Sequence, residues 1–145
     1  MRRNELARVT IEKLVFGGAG LGRIGERVAF VWGTLPGEEV EFRKTKKKRN
    51  FVEGTLTQVI TPSPHRLPPR DDHYLSCSPW QTMAYEEELR WKKLIAAETY
   101  RKIGGIELPD TELVTDGREY GYRNKMEYNF IADQAGNLSF AFHAR

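Results

Sequence analysis

Short apolar segments alternate with polar or glycine-rich breaks through residues 8–60 of the chain. The apolar segments lie at 9–16, 28–32, 40–42 and 51–60. The breaks contain glycine and proline, at 17–22 and at Pro36 and Gly37, where a tight turn needs a preset or a positive φ. Segments of this length between turn residues indicate β-strands. Four or five strands in about fifty residues predict a small closed barrel rather than a sandwich.

A proline-rich stretch follows at residues 61–70. It holds four of the seven prolines of the chain. Because proline lacks a backbone N–H group, this stretch cannot continue a central strand. We therefore place a domain boundary here and predict two units, residues 1–66 and residues 67–145.

The hydrophobic period changes to that of an α-helix between Tyr85 and Ile103. Apolar residues recur at spacings of 4, 7, 4 and 3, which predicts one stripe formed by Tyr85, Leu89, Ala96, Tyr100 and Ile103. Three glutamates occupy the first turns, Arg101 and Lys102 the last, and two glycines follow. This arrangement suits the helix dipole and predicts the helix end.

Two further alternating segments, 121–131 and 138–142, flank the turn-forming residues 134–137 and predict a β-hairpin. The predicted fold is therefore mainly β, a small barrel followed by an α+β second part. A hairpin alone buries too little surface to be stable, so we expect the second unit to be incomplete.

Positive charge is concentrated in the first half of the chain. Residues 1–70 hold 14 Lys/Arg against 7 Asp/Glu, whereas residues 71–145 hold 9 against 13. Residues 43–49 contain six cations among seven positions, between Phe42 and Phe51. A basic loop beside aromatic residues on a small barrel is typical of a surface that follows a phosphate backbone while bases stack. We predict that the first unit binds nucleic acid; the alternative is a solvated loop.

The glycine-rich segment 17–22 does not fit a phosphate-binding loop. A Walker A loop continues with Lys and Ser/Thr into a helix, whereas Arg23 and Ile24 follow here and the next segment predicts a strand. We interpret it as a tight turn that presents Arg23. Further along, Arg123 and Lys125 share one face of the predicted strand at 121–131, a face suited to phosphate or to solvent.

Neither a catalytic site nor a metal site is indicated. The single Cys77 excludes an internal disulfide and cannot alone hold a zinc ion or an iron–sulfur cluster, which need about four protein ligands. His65, His73 and His143 are too scattered to indicate a metal site. No apolar run approaches the ~18 residues of a membrane helix, and no signal peptide follows the first residues. We expect a cytoplasmic protein with no membrane and no disulfide-linked partner.

The order of these motifs resembles that of two domains of RNA-modifying enzymes. Residues 8–66 are similar to the TRAM domain, a small OB-like barrel, in the glycine-rich segment, the Leu-Pro-Gly-Glu turn, the basic run and the final Pro-Ser-Pro-His-Arg. After it, residues 73–81, the helix ending at 103–105 and Tyr-Arg-Asn-Lys at 122–125 resemble the start of the central domain of RNA uracil-C5 methyltransferases. The combination favours the 23S ribosomal RNA branch of that family.

The resemblance implies an RNA-binding portion of an S-adenosylmethionine-dependent 23S rRNA (uracil-C5) methyltransferase. Ribosomal RNA is the expected partner, and transfer RNA is the alternative. In the family, a following Rossmann-like domain binds S-adenosylmethionine and carries a cysteine nucleophile and a carboxylate base. Those motifs are not found here, so we expect a truncated chain that transfers no methyl group. The expected RNA-binding residues are Arg23, Arg43, Lys44, Lys46, Lys47, Lys48, Arg49, Arg66, Arg123 and Lys125.

Many members of that family hold an iron–sulfur cluster through a Cys-x5-Cys-Gly-Gly-Cys run. Asp71, Cys77 and Trp80 occupy those three cysteine positions, so we predict no cluster and no cofactor in this chain. Two alternatives stay open: a free-standing, non-enzymatic TRAM-type RNA-binding protein, and a structural or protein-binding module. The last predicts no salt-sensitive affinity for RNA.

Overall fold

The barrel and the helix predicted from the hydrophobic pattern are both present in a computed structural model, which describes residues 5–125 and 127–141. The barrel strands are β1 (Leu6–Leu14), β2 (Gly20–Ile24), β3 (Arg27–Trp32), β4 (Glu39–Lys47) and β5 (Phe51–Thr61). They are followed by α1 (Tyr74–Cys77), α2 (Tyr85–Thr99), a π-helical turn (Tyr100–Gly104), β6 (Asn129–Ala132) and β7 (Leu138–Ala141). None of the helices in the described part is long and apolar enough to cross a membrane.

The barrel closes in the order β1-β2-β3-β5-β4, and β4 pairs back with β1. All pairs are antiparallel except β3 with β5, which are parallel. One buried apolar cluster fills the interior: Val9, Ile11, Ala29, Val31, Val40, Phe42 and Val52. The fold class predicted from the sequence, mainly β with an OB-like barrel, is confirmed.

Strand β2 lies in the glycine-rich segment that the sequence predicts to be only a turn. The turn consists of Gly17 and Gly18, which have positive φ, and the strand starts at Gly20. A Cβ atom on Gly22 would lie 2.2 Å from the Thr10 carbonyl oxygen, and one on Gly20 would lie 2.2 Å from Oγ1 of Thr34. Glycine therefore permits a close approach of strands, which strand propensity does not detect.

Helix α2 packs over one end of the barrel. Its buried residues are Trp91 and Ile95, which join Leu14 and Leu35 of the barrel and Met83 in a second apolar cluster. The predicted helix start is confirmed, but the predicted stripe is not the buried face, since Tyr100 and Ile103 are 52% and 85% exposed. Apolar residues lie on two faces of α2, and the face that carries Trp91 and Ile95 is the one that packs against the barrel.

The chain after the π-helical turn is irregular up to the hairpin formed by β6 and β7. The hairpin is confirmed, but β6 begins at Asn129, eight residues after the predicted start of that strand at 121. Its residues are exposed except Ala141, which is half-buried. Phe142, which the prediction also included, lies outside the described residues. The division into units at residues 1–66 and 67–145 stays a prediction.

Candidate nucleic-acid interface

Most of the basic run lies in a strand. Strand β4 extends through Lys47 and β5 begins at Phe51, so the connecting turn contains only residues 48–50. Lys46 is paired with Glu53 and Lys47 with Val52, so the strand pairing continues into the run, after a register shift between Lys44 and Lys46. The prediction that the basic run forms a loop is therefore wrong for most of the run, since only residues 48–50 form the turn. A strand holds these cations at fixed spacing, which a flexible loop does not.

The two aromatic residues flanking the run have different environments. Phe42 is fully buried in the barrel core, whereas Phe51 is half-buried and faces outward. Phe51 contacts Phe30 of β3 edge to face, with ring centroids 5.9 Å apart and an interplanar angle of 73°. Nζ of Lys46 lies 5.6 Å from the centroid of the Phe51 ring. The sequence did not indicate Phe30, because the parallel pairing of β3 with β5 brings it beside Phe51.

The turn between β4 and β5 is fixed against the start of β3. The backbone N–H of Val28 donates to the Asn50 carbonyl at 3.1 Å, and Nε of Arg27 donates to the Arg49 carbonyl at 3.3 Å. Arg27 is exposed and thus adds a cation that the sequence did not indicate, because it is remote from the run along the chain.

Arg23 is exposed on β2, opposite Val28 of β3, and its nearest carboxylate oxygen, Oε1 of Glu12, is 3.9 Å from its Nε. These residues lie on neighbouring strands around the β4–β5 turn, and we call them the aromatic–basic face: Arg23, Arg27, Phe30, Lys46, Lys47, Lys48, Arg49 and Phe51.

The other two cations of the run lie on β4 before this face. Arg43 is exposed and is paired with Leu6 on β1 and Thr55 on β5. Nζ of Lys44 donates to Oε1 of Glu5 at 3.0 Å, and this hydrogen bond lowers the pKa of the Glu5 carboxyl. Lys46 of the face forms an equally short ion pair, with Oε1 of Glu53 at 3.0 Å, but its side chain is 51% exposed and that of Lys44 only 16%. Lys44 is therefore the less accessible of the two cations.

Three residues expected to bind RNA lie elsewhere. The Arg66 guanidinium donates to both carboxylate oxygens of the fully buried Glu38 and, at 2.9 Å, to the Gly33 carbonyl. Arg123 and Lys125 lie in the irregular segment, so the predicted strand there is wrong and alternation does not place them on one face. Nζ of Lys125 is 2.7 Å from Oε1 of Glu127.

Arg123 instead lines a mainly apolar cleft of about 560 Å³ between α2 and the β1–β2 turn. Phe16, Trp80, Tyr100 and Tyr122 also line it. Nε1 of Trp80 donates to the Gly18 carbonyl at 3.3 Å, which fixes one wall of the cleft against the barrel. Arg123 therefore lies at this cleft rather than on the aromatic–basic face.

Comparison with known proteins identifies the barrel. The family model of the TRAM domain matches residues 2–57. The sequence is 36% identical to an uncharacterized RNA methyltransferase of Nostoc sp. and 32% identical to one of Clostridium tetani, in each case over 99% of this chain and 32% of the relative. The 23S rRNA (uracil(1939)-C(5))-methyltransferase RlmD of Vibrio vulnificus is 31% identical over 95% of this chain and 32% of its own length.

This chain spans about a third of the length of the curated relatives that it matches. Over that third, the matches continue past the barrel through nearly all of residues 67–145. The chain therefore contains a TRAM domain and is related, over nearly its whole length, to RNA methyltransferases.

Proposed function

We propose that this chain is the RNA-binding portion of a 23S rRNA (uracil-C5) methyltransferase and that its aromatic–basic face contacts the RNA. The observation that carries the proposal is the contact between the outward-facing rings of Phe30 and Phe51, with Nζ of Lys46 beside the Phe51 ring. Nucleobases stack on exposed aromatic rings while cations follow the phosphates, and OB-like barrels bind single strands in this way. The TRAM match and the RNA methyltransferase relatives support the same role.

Methyl transfer itself would need S-adenosylmethionine, which supplies the methyl group. We assign no residue of this chain to that cofactor, to the nucleophile or to the base. The role proposed for these residues is to bind and orient the RNA in the cytoplasm. The ribosomal substrate is inferred from the name of the Vibrio relative, and transfer RNA is the competing substrate.

The decisive experiment measures affinity for a single-stranded RNA of about 16 nucleotides, the upper site size of an OB-like barrel, as a function of salt concentration. The test variant replaces Lys46, Lys47, Lys48 and Arg49 with Ser. For each phosphate that the variant no longer neutralises, the slope of the logarithm of the binding constant against the logarithm of the salt concentration should become less steep by about 0.7. We expect weaker binding and a slope smaller by up to roughly 3.

The matched control removes four positive charges from the helical part, at Lys92, Lys93, Arg101 and Lys102. This control should bind RNA nearly as the unaltered chain does, because those cations lie outside the aromatic–basic face. Equal losses of affinity in the two quadruple variants would show that the effect depends on net charge alone, and would refute the proposed surface.

A single substitution tests stacking separately from charge. Phe51→Leu should weaken binding by about five- to 150-fold without changing the salt slope, because a stacked base contributes roughly 1–3 kcal/mol. Phe51→Tyr keeps the ring and should bind within about threefold of the unaltered chain. Competition between a 23S rRNA fragment and transfer RNA then tests the substrate, and equal competition would count against the ribosomal assignment.

A further inference from the structure

Three side chains with metal-binding atoms come together beside the barrel, although the sequence indicated no metal site. Nδ1 of His73 lies 3.1 Å from Sγ of Cys77, and Nε2 of His73 lies 3.5 Å from Oδ1 of Asp71. One ligand atom from each residue lies within 4.8 Å of the others. A thiolate, an imidazole and a carboxylate are the ligands that zinc prefers.

The local backbone brings these residues together. His73 is the N-cap of α1 and Cys77 is its last residue, so their side chains lie one helical turn apart on the same face. The His73 carbonyl accepts from the N–H groups of Ser76 at 2.9 Å and Cys77 at 3.3 Å. The Asp71 carbonyl accepts from the N–H of Tyr74 at 3.3 Å, which ties the third residue to the same turn.

The surroundings support Asp71 and fix α1 against the barrel. Nε2 of the buried Gln81 donates to Oδ2 of Asp71 at 3.3 Å, and hydrogen bonds of this kind orient metal-ligating carboxylates. The side chain of Leu75 lies 3.1 Å from the position that a Cβ atom on Gly33 would occupy. The three candidate ligands themselves stay at least partly accessible, so an ion can reach them.

These residues do not fit the iron–sulfur cluster of the related enzymes. Such a cluster is held by about four thiolates, and this chain has one cysteine. A single ion of the zinc class, in contrast, accepts one thiolate with nitrogen and oxygen ligands. We propose that Asp71, His73 and Cys77 bind one divalent ion of the zinc class, with a fourth position open to water or to another ligand.

Cobalt(II) is the probe, because it replaces zinc and gives a thiolate-to-metal charge-transfer band when sulfur is a ligand. The chain has a single cysteine, so any such band reports on Cys77. Titration of the full chain under reducing, oxygen-free conditions should give one cobalt(II) ion per chain, and zinc(II) should displace it. Cys77→Ser should abolish the band, and His73→Ala and Asp71→Asn should each weaken binding at least about tenfold.

The chain offers matched controls for two of these substitutions. His65→Ala and Asp72→Asn remove the same groups outside the cluster and should leave the titration unchanged. The proposal is overturned if no charge-transfer band forms, if His73→Ala binds cobalt as tightly as His65→Ala, or if one ion is bound by two chains. Because the readout is metal binding, failure here leaves the proposed RNA-binding role untouched.

Discussion

At the residue scale, the alternation of side chains between the two faces of a strand decides which aromatic ring faces outward and can contact a ligand. Phe42 and Phe51 both flank the basic run in sequence, but Phe42 is buried in the core and Phe51 faces outward with Phe30. The sequence predicted the cations of the candidate site other than Arg27, and one of its two aromatic residues. Phe30 and Arg27 could not be found from local sequence, because the pairing of β3 with β5 and the docked turn bring them there.

Glu38 and Arg66 form a buried ion pair that connects the β3–β4 turn with the chain after β5. Besides the Arg66 guanidinium, the Glu38 carboxylate accepts from the backbone N–H of Leu35 at 2.8 Å and of Ser63 at 3.3 Å. Glu38→Gln removes the charge while keeping the shape. We expect it to lower the free energy of unfolding by roughly 3–5 kcal/mol, because it leaves a largely buried guanidinium without its counter-charge.

The measurement is urea denaturation, with Glu41→Gln as the control. Glu41 pairs with the exposed Arg8 at 3.4 Å, and such surface pairs contribute at most about 1 kcal/mol. Equal effects of the two substitutions would contradict the structural role of Glu38 and would return Arg66 to the set of candidate RNA ligands.

At the element scale, the sequence predicted elements whose signal is local and missed those that depend on distant contacts. The start of α2, four of the five barrel strands and the β6–β7 hairpin follow from hydrophobic period and turn residues. Strand β2 was missed because Gly20 and Gly22 lower strand propensity. Both positions require glycine, since Thr34 lies close to Gly20 and Thr10 close to Gly22. The buried face of α2 depends on the barrel end that it covers, which its own period does not specify.

One carboxylate joins α2 to the barrel and makes the contact pH-sensitive. Glu98 accepts hydrogen bonds from Lys102, at 2.6 Å, and from Lys13 of β1, and these bonds lower its pKa from 4.5 to about 2. A carboxyl whose pKa is lower in the folded state stabilises the fold above its unfolded pKa. That stabilisation is lost as pH falls through the folded value.

We therefore expect Glu98→Gln to be less stable than the unaltered chain at pH 7 and the difference to shrink between about pH 4.5 and pH 2. Urea denaturation of both proteins across that range measures it. The pKa values of other carboxyl groups, such as those of Glu5 and Glu87, are also lowered by their hydrogen bonds, so the difference between the two proteins is the relevant quantity. A difference that stays constant with pH would show that the ionised Glu98 does not stabilise the fold.

At the scale of the whole molecule, packing is dense in the barrel and α2 and sparse beyond them. The second apolar cluster joins Leu14 and Leu35 of the barrel to Trp91 and Ile95 of α2. In the described part of residues 105–141, in contrast, side chains are exposed apart from a few half-buried ones. The apolar contacts thus group α2 with the barrel, although the proline-rich stretch separates them along the chain.

Limited digestion with trypsin tests this grouping. Irregular, exposed backbone is cut faster than helices and tight hairpin turns. We expect the first cut after Arg118, Arg123 or Lys125, which would leave one fragment that contains both the barrel and α2. Mass spectrometry of the earliest product identifies the site. A first cut after Arg70, in the exposed stretch between β5 and α2, would contradict the grouping, as would one after Lys92 or Lys93, inside α2.

The strand order of the barrel also has a consequence for how the protein folds. Strands β1 to β3 form one antiparallel meander, β4 and β5 form a hairpin, and only the pairings β3–β5 and β1–β4 join these two pieces. The joining contacts are distant in sequence, so they close large loops, and we expect them to form late. Arg23, Arg27 and Phe30 belong to the meander, whereas Lys46 and Phe51 belong to the hairpin. The aromatic–basic face therefore exists only after the two pieces have docked, and a strand of RNA lying across both would hold the barrel shut and slow its unfolding.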